Sequence, residues 1–348
     1  MFTINLANLD GASGFSIQGI DAQDLSGFSV AGAGDFNGDG FEDLIIGAYG
    51  GDATASLSGE TYVVFGKSGS FGQFFNVGSR DGTDGFRIDG VAASDLSGRS
   101  VSSAGDINND GFDDLLIGAS SAAGIGGANS GESYVVFGQA ASLGPIVQRA
   151  GLDGADGVTL EGAATGDQTG TTVNEAGDFN GDGIDDFLVT APNANRTATT
   201  DGAVFVVFGG AAFAATANID PLDGTDGFRL TGLDNFESIG SGAPSFGDVN
   251  GDGLADIIIG APQADVVGGD SGAAYVVFGT TSPLAASQSV SFLDGADGFR
   301  VTGTISGDNL GRATGAGDIN GDGFDEIIVS VSNREDGLTD QGVTAVIF

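Results

Sequence analysis

The chain has 348 residues and a formal net charge of −38, from 48 acidic against 10 basic side chains. A field of that sign repels nucleic acid and anionic membranes and attracts cations. With no Cys and no His, disulfides, thiol chemistry, the usual general base near neutral pH and the usual soft-metal ligand are excluded, and the lack of Trp weakens any case for a sugar-stacking platform.

The start, Met1-Phe2-Thr3-Ile4-Asn5, has neither the basic region nor the long apolar region of a secretory signal, so no signal peptide is expected in this chain. No apolar run approaches the ~20 residues of a membrane span. The first predicted element is an alternating strand, Gly14 to Gly19. A small-residue strand follows, Ser29 to Gly34, leading into the loop Asp35-Phe36-Asn37-Gly38-Asp39-Gly40-Phe41-Glu42-Asp43. Two continuously apolar strands come next, Leu44 to Ala48 and Tyr62 to Phe65. An Asp-Gly turn (Asp81 to Gly85) then enters a second alternating strand, with Phe86 and Ile88 on one face and Arg87 and Asp89 on the other.

The series then repeats. Loops begin at Asp35, Asp106, Asp178, Asp248 and Asp318, steps of 71, 72, 70 and 70 residues. The apolar strand ending in Phe-Gly recurs at Tyr134, Phe205 and Tyr275 and closes the chain as Ala345-Val346-Ile347-Phe348. Continuous apolar strands read as buried on both faces and alternating ones as half-exposed. Small residues would therefore crowd an axis, apolar strands fill the middle, and alternating strands face outward. That is a propeller blade. The expected fold is all-β: one domain over residues 1–348, a five-bladed β-propeller of four-stranded antiparallel blades. The N-terminal strand Gly14 to Gly19 would complete the last blade and close the ring, an open β-solenoid being the alternative. An acidic residue also precedes each small-residue strand (Asp24, Asp95, Asp167, Glu237, Asp308), read as a turn cap with extra cation ligation as the alternative.

In the loops, oxygen-bearing side chains at positions one, three, five and nine, the position-seven carbonyl, and Gly at position six form a hard-cation pattern. The first loop offers Asp35, Asn37, Asp39, the Phe41 carbonyl and Asp43; the second Asp106, Asn108, Asp110, the Phe112 carbonyl and Asp114. The third offers Asp178, Asn180, Asp182, the Ile184 carbonyl and Asp186; the fourth Asp248, Asn250, Asp252, the Leu254 carbonyl and Asp256. The fifth has Asp318, Asn320, Asp322 and the Phe324 carbonyl but Glu326 at position nine, whose length either allows bidentate binding or spoils the geometry. Three carboxylates brought to one point repel each other without a cation, so about five Ca²⁺ are expected, in a structural role. Mg²⁺ suits such a loop less well.

These loops, with Gly27-Phe28-Ser29-Val30 and Gly260-Ala261-Pro262, resemble the FG-GAP repeat of the integrin α-subunit propeller over nearly the whole chain. Asn109 replaces the usual Gly, Glu326 the usual Asp, and five repeats stand where integrins have seven blades. The resemblance implies a calcium-stabilised extracellular or cell-surface adhesion module, monomeric or one domain of a larger chain; a protein or glycan ligand is expected of it, but integrin ligand binding, which depends on a partner subunit, is not carried over. A lectin or a calcium-dependent polysaccharide-acting enzyme on the same scaffold is the alternative. No catalytic residue stands out, so no enzyme is expected. Asn174-Glu175, Arg196 and Pro244-Ser245-Phe246 depart from the repeat and are candidates for a private site.

Overall fold

A computed structural model describes residues 5–79, 81–141, 143–148, 151–194, 201–210, 213–233, 237–333 and 342–348. The described structure is all strand apart from short 3-10 turns. Numbered in chain order, the first four-stranded set is β2 (Ser29–Gly34), β3 (Asp43–Ala48), β4 (Glu60–Val64) and β6 (Gly85–Asp89). The second is β7 (Ser100–Gly105), β8 (Asp114–Ala119), β9 (Glu132–Val136) and β11 (Gly157–Glu161). The third is β12 (Val173–Gly177), β13 (Asp186–Ala191), β14 (Ala203–Val207) and β16 (Gly227–Thr231); the fourth β17 (Gly242–Gly247), β18 (Asp256–Ala261), β19 (Ala273–Val277) and β21 (Gly298–Thr302). The fifth has three strands, β22 (Leu310–Gly315), β23 (Ile327–Val331) and β24 (Val343–Ile347). Within each set neighbours pair antiparallel in sequence order, Leu44 facing Val64 and Val63 facing Phe86 in the first.

Four three-residue strands escaped the sequence reading: β5 (Phe74–Asn76), β10 (Ile146–Gln148), β15 (Thr216–Asn218) and β20 (Ser287–Ser289). Each comes from the following unit and runs parallel along an alternating strand, β10 on β6, β15 on β11 and β20 on β16. Over β6, β11 and β16 this cover corrects the expectation of a half-exposed fourth strand, whereas β21, with no such partner among the described residues, stays part-exposed. In β6 only Arg87 is partly exposed, and the other four residues are buried.

The middle strands bury both faces as expected, each of β8, β13 and β18 being buried throughout. Facing sheets interdigitate. Ile45, Val63 and Phe86 of the first set share one apolar cluster with Leu115, Ile117 and Tyr134 of the second, and Phe187 and Phe205 of the third share another with Leu116 and Val135 of the second. The small-residue strands β2, β7, β12, β17 and β22 lie side by side in that order. Backbone approach there is close: a Cβ on Gly47 would sit 1.9 Å from the Gly98 carbonyl oxygen, and one on Gly118 2.2 Å from that of Gly170. Side chains at these two positions would separate adjacent sheets.

Ring closure by the N-terminal strand is not what the structure places. β1 (Ser16–Gln18) pairs in parallel with β5, and β24 has β23 as its strand partner among the described residues. The β1–β5 pair repeats the β6–β10 arrangement, so β1 takes the outer position of a sheet preceding β2. Phe15, Ile17, Phe71 and Phe75 cover Ile46, Tyr62 and Val64 there. The covering is partial: Val30 is 65% and Leu44 39% exposed, whereas the equivalent Val101 and Leu115 are buried. At the other end Val346 is 40% exposed, where the equivalent Val63 is buried.

Candidate cation loops

Each nine-residue loop joins the small-residue strand to the first apolar strand, and its own side chains fold it. The Asp39 N–H donates to Asp35 Oδ1 (3.0 Å) and Asn37 Oδ1 (2.9 Å), and the Gly40 N–H to Asp35 Oδ2 (2.9 Å). The second, third and fourth loops repeat these bonds, as with Asp110 N–H to Asp106 Oδ1 and Asn108 Oδ1, both 2.9 Å. Gly38 and Gly40 have φ of +72° and +88°. Asn109 takes the Gly38 position at φ +56°, a conformation Asn tolerates better than most residues, so this departure keeps the turn.

Positions one, three and five gather at the exposed mouth, while position nine lies buried at the base as the strand begins. There one oxygen accepts the N–H that follows the third strand: Gly66 to Asp43 (2.7 Å), Gly138 to Asp114 (2.8 Å), Gly209 to Asp186 and Gly279 to Asp256 (both 2.9 Å). In the second to fourth loops the other oxygen accepts the position-two N–H, at 3.1, 3.0 and 2.8 Å. In the first loop it does not. Asp43 Oδ2 is buried and makes no hydrogen bond of normal geometry, the Phe36 N–H acting on its carboxyl only weakly. A buried carboxylate oxygen left bare is costly, and a cation held by the same loop would satisfy it. The residues therefore fit a hard cation. Burial, with the Asp35 and Asp39 charges adding to it, pushes the Asp43 carboxyl up to about 7. Burial likewise raises Asp114 to about 8, Asp186 to about 7 and Asp256 to about 6.

The fifth loop follows a different geometry. Glu326 accepts from the Ile319 N–H and from Asn320 Nδ2, both at 2.7 Å. Its extra methylene brings a carboxylate oxygen of Asp318, Asp322 and Glu326 within 4.8 Å of one another. The carbonyl-bearing residues Phe41, Phe112, Ile184, Leu254 and Phe324 occupy the equivalent turn in every loop.

One set of residues went unread. Position eight is Glu42, Asp113, Asp185, Ala255 and Asp325. Asp113 Oδ2 accepts the N–H of Asp35 in the preceding loop (2.7 Å), Asp185 that of Asp106 (3.0 Å) and Asp325 that of Asp248 (2.9 Å). Acid at four of five copies was the signal available.

Asp24, Asp95 and Asp308 accept turn N–H groups of Asp21 (2.9 Å), Ala92 (2.8 Å) and Thr304 (2.7 Å), consistent with caps. Asn174 accepts the Ser102 hydroxyl and donates to the Pro244 carbonyl, both at 2.8 Å, stitching β7, β12 and β17 together. Burial and the Asp185 and Asp113 charges raise Glu175 to about 7. Arg196 lies outside the described residues. Cavities of about 470 and 560 Å³ among the small-residue strands share the exposed Arg312.

An FG-GAP repeat profile matches residues 26–64, 97–136, 174–207, 242–277 and 310–347. Similar proteins include integrin alpha-PS5 of Drosophila melanogaster, 28% identical over 209 residues, covering 60% of this chain and 18% of the integrin. Integrin alpha-5 of Xenopus laevis is 31% identical over 170 residues, covering 48% of this chain and 15% of that one. Phosphatidylinositol-glycan-specific phospholipase D of Bos taurus is 32% identical over 163 residues, covering 46% and 18%. The chain thus spans less than a fifth of the length of each of these relatives. No helix among the described residues is long and apolar enough to cross a membrane.

Proposed function

The chain belongs to the FG-GAP repeat family, and from that premise we propose that it is a calcium-stabilised binding or adhesion scaffold of the cell exterior. It is read as one propeller-type domain over residues 1–348 and not as an enzyme. The observation that carries this reading is the fifth loop, where a carboxylate oxygen from each of Asp318, Asp322 and Glu326 lies within 4.8 Å of the others, the one such convergence among the described residues. In each loop the position-one, -three and -five side chains, the position-seven carbonyl and the position-nine carboxylate would hold the ion. A bound Ca²⁺ supplies only positive charge, which offsets the clustered carboxylates and fixes the hairpin between two strands.

Such loops hold shape; they do not choose a partner. On this reading the ligand, a protein or glycan, docks on the small-residue strands, where Arg312 lines two cavities in a strongly acidic chain. The phospholipase relative does not move the reading toward catalysis, because the shared region is under a fifth of that enzyme. Native mass spectrometry of the full chain titrated with calcium tests the metal reading. Five bound ions are expected, four in Asp182→Ala, and none in either protein would reject it. A glycan and matrix-protein screen of the calcium-loaded chain, repeated with Arg312→Ala, tests the ligand surface. Equal binding by both proteins would remove Arg312 from it.

A further inference from the structure

We infer that the cation loops are coupled across sheet boundaries in two groups, loops one to three and loops four to five, through the position-eight carboxylates. This rests on the calcium reading above and adds to it which sites act together.

Asp113 belongs to the second loop by sequence, standing between Phe112, whose carbonyl is a ligand, and Asp114, the buried position-nine ligand. Its carboxylate serves the first loop instead, holding the N–H of Asp35, that loop's first ligand, at 2.7 Å. The same reach joins Asp185 to Asp106 (3.0 Å) and Asp325 to Asp248 (2.9 Å). Space for it is built into the preceding strand's terminal glycine. A Cβ on Gly34 or Gly105 would lie 2.2 Å from the carboxylate oxygen of Asp113 or Asp185, and both glycines have positive φ.

The third boundary is an internal control. Ala255 occupies position eight there and cannot make the bond. The other contacts persist: Thr280 N–H donates to the Phe179 carbonyl (2.9 Å), as Gln139 does to Phe36 (3.0 Å) and Gly210 to Ile107 (2.8 Å). Leu254 lies over Gly181 as Phe112 lies over Gly38. Position eight still reaches across by main chain, the Ala255 N–H donating to the Asp178 carbonyl (3.1 Å) as the Asp325 N–H does to that of Asp248 (2.9 Å); what the third boundary lacks is the carboxylate bond to the position-one N–H.

Coupling follows from geometry. Ordering the second loop around an ion fixes Phe112 and Asp114, the chain neighbours of Asp113. That in turn fixes the Asp35 backbone and lowers the ordering cost of filling the first loop. The carboxylate also adds negative charge beside the neighbouring site.

Hydrogen–deuterium exchange on the full chain across a range of free calcium reads each loop separately. In the native protein, loops one to three should gain protection with one shared midpoint, and loops four and five with another. Asp113→Ala should raise the midpoint of the first loop about five- to tenfold and leave loops four and five unmoved. Ala255→Asp should draw the midpoint of the third loop toward that of the fourth, which keeps the test alive if Asp113→Ala misfolds. Calcium-dependent protection in the native chain with independent midpoints, unmoved by either variant, overturns the coupling and leaves the calcium reading intact. Absence of any calcium-dependent protection overturns both.

Discussion

Filling the loops with calcium should expel protons. The position-nine carboxyls of the first four loops are fully buried, and burial lifts them from an ordinary 3.8 to about 7 (Asp43), 8 (Asp114), 7 (Asp186) and 6 (Asp256). Each folded value lies above the unfolded one, so the ion-free folded chain holds protons that the unfolded chain has released. Its stability from this source is therefore fully present below pH ~4 and is lost as pH rises through about 6 to 8. A cation reverses the preference, since only the ionised carboxylate ligates. Carboxyls with these values together hold about two protons at pH 7 and almost none at pH 9. Calorimetric titration of calcium into the full chain, in two buffers of unlike ionisation enthalpy, counts them. At pH 7 the apparent binding enthalpies should differ by about two protons' worth of buffer ionisation, with the difference vanishing at pH 9. Apparent affinity should rise with pH up to about 8 and level off beyond it. Identical enthalpies in the two buffers at pH 7, with calcium binding evident, would refute the reasoning.

Chelation should lower the melting temperature. With dissociation constants near 10⁻⁴ M, millimolar calcium stabilises each loop by about 1.5 kcal/mol, roughly 7 kcal/mol over five. At about 2.1 cal/mol/K of unfolding entropy per residue, that is a drop of about 10 °C for a chain of this length. A melt unchanged by excess EDTA contradicts a structural role for the ions. The first sheet and a middle one give a paired packing test, because Phe187 and Leu44 hold equivalent positions but are buried and 39% exposed respectively. Phe187→Ala should cost about 3–5 kcal/mol and Leu44→Ala about 1 kcal/mol in denaturant unfolding. Equal losses would mean that another surface covers Leu44 in solution.

The period and the loops were legible because each is set by rules acting within a few residues. Asp, Asn and Gly at fixed offsets dictate a turn, and the apolar run behind Asp43 dictates a buried strand. The turn acids Asp24, Asp95 and Asp308 were legible for the same reason. The parallel strands were not, since Phe74–Asn76 or Thr216–Asn218 is too short to show any period and is defined by its partner alone. Closure through Gly14 to Gly19 was read from strand type, and strand type was right: β1 takes an outer position. Which third-type strand it meets depends on the angle accumulated over successive sheets, and no single repeat encodes that sum. Position eight was visible as acid but carried no meaning until Asp113 was found beside Asp35, 78 residues away.

The borrowed outer strand has a consequence for how such a chain grows. Because β10 belongs to one repeat and hydrogen-bonds in the sheet of the one before it, the repeat that sequence defines and the sheet that structure defines are out of step. A fragment of one repeat, about 70 residues, would leave behind part of its own edge and half of each core it shares, and should not fold alone. Excising or duplicating a whole period between equivalent points restores every type of contact at the new junction. Recombination in register is therefore tolerated where truncation is not, and lengthening or shortening the array by whole repeats is the change that disturbs this architecture least.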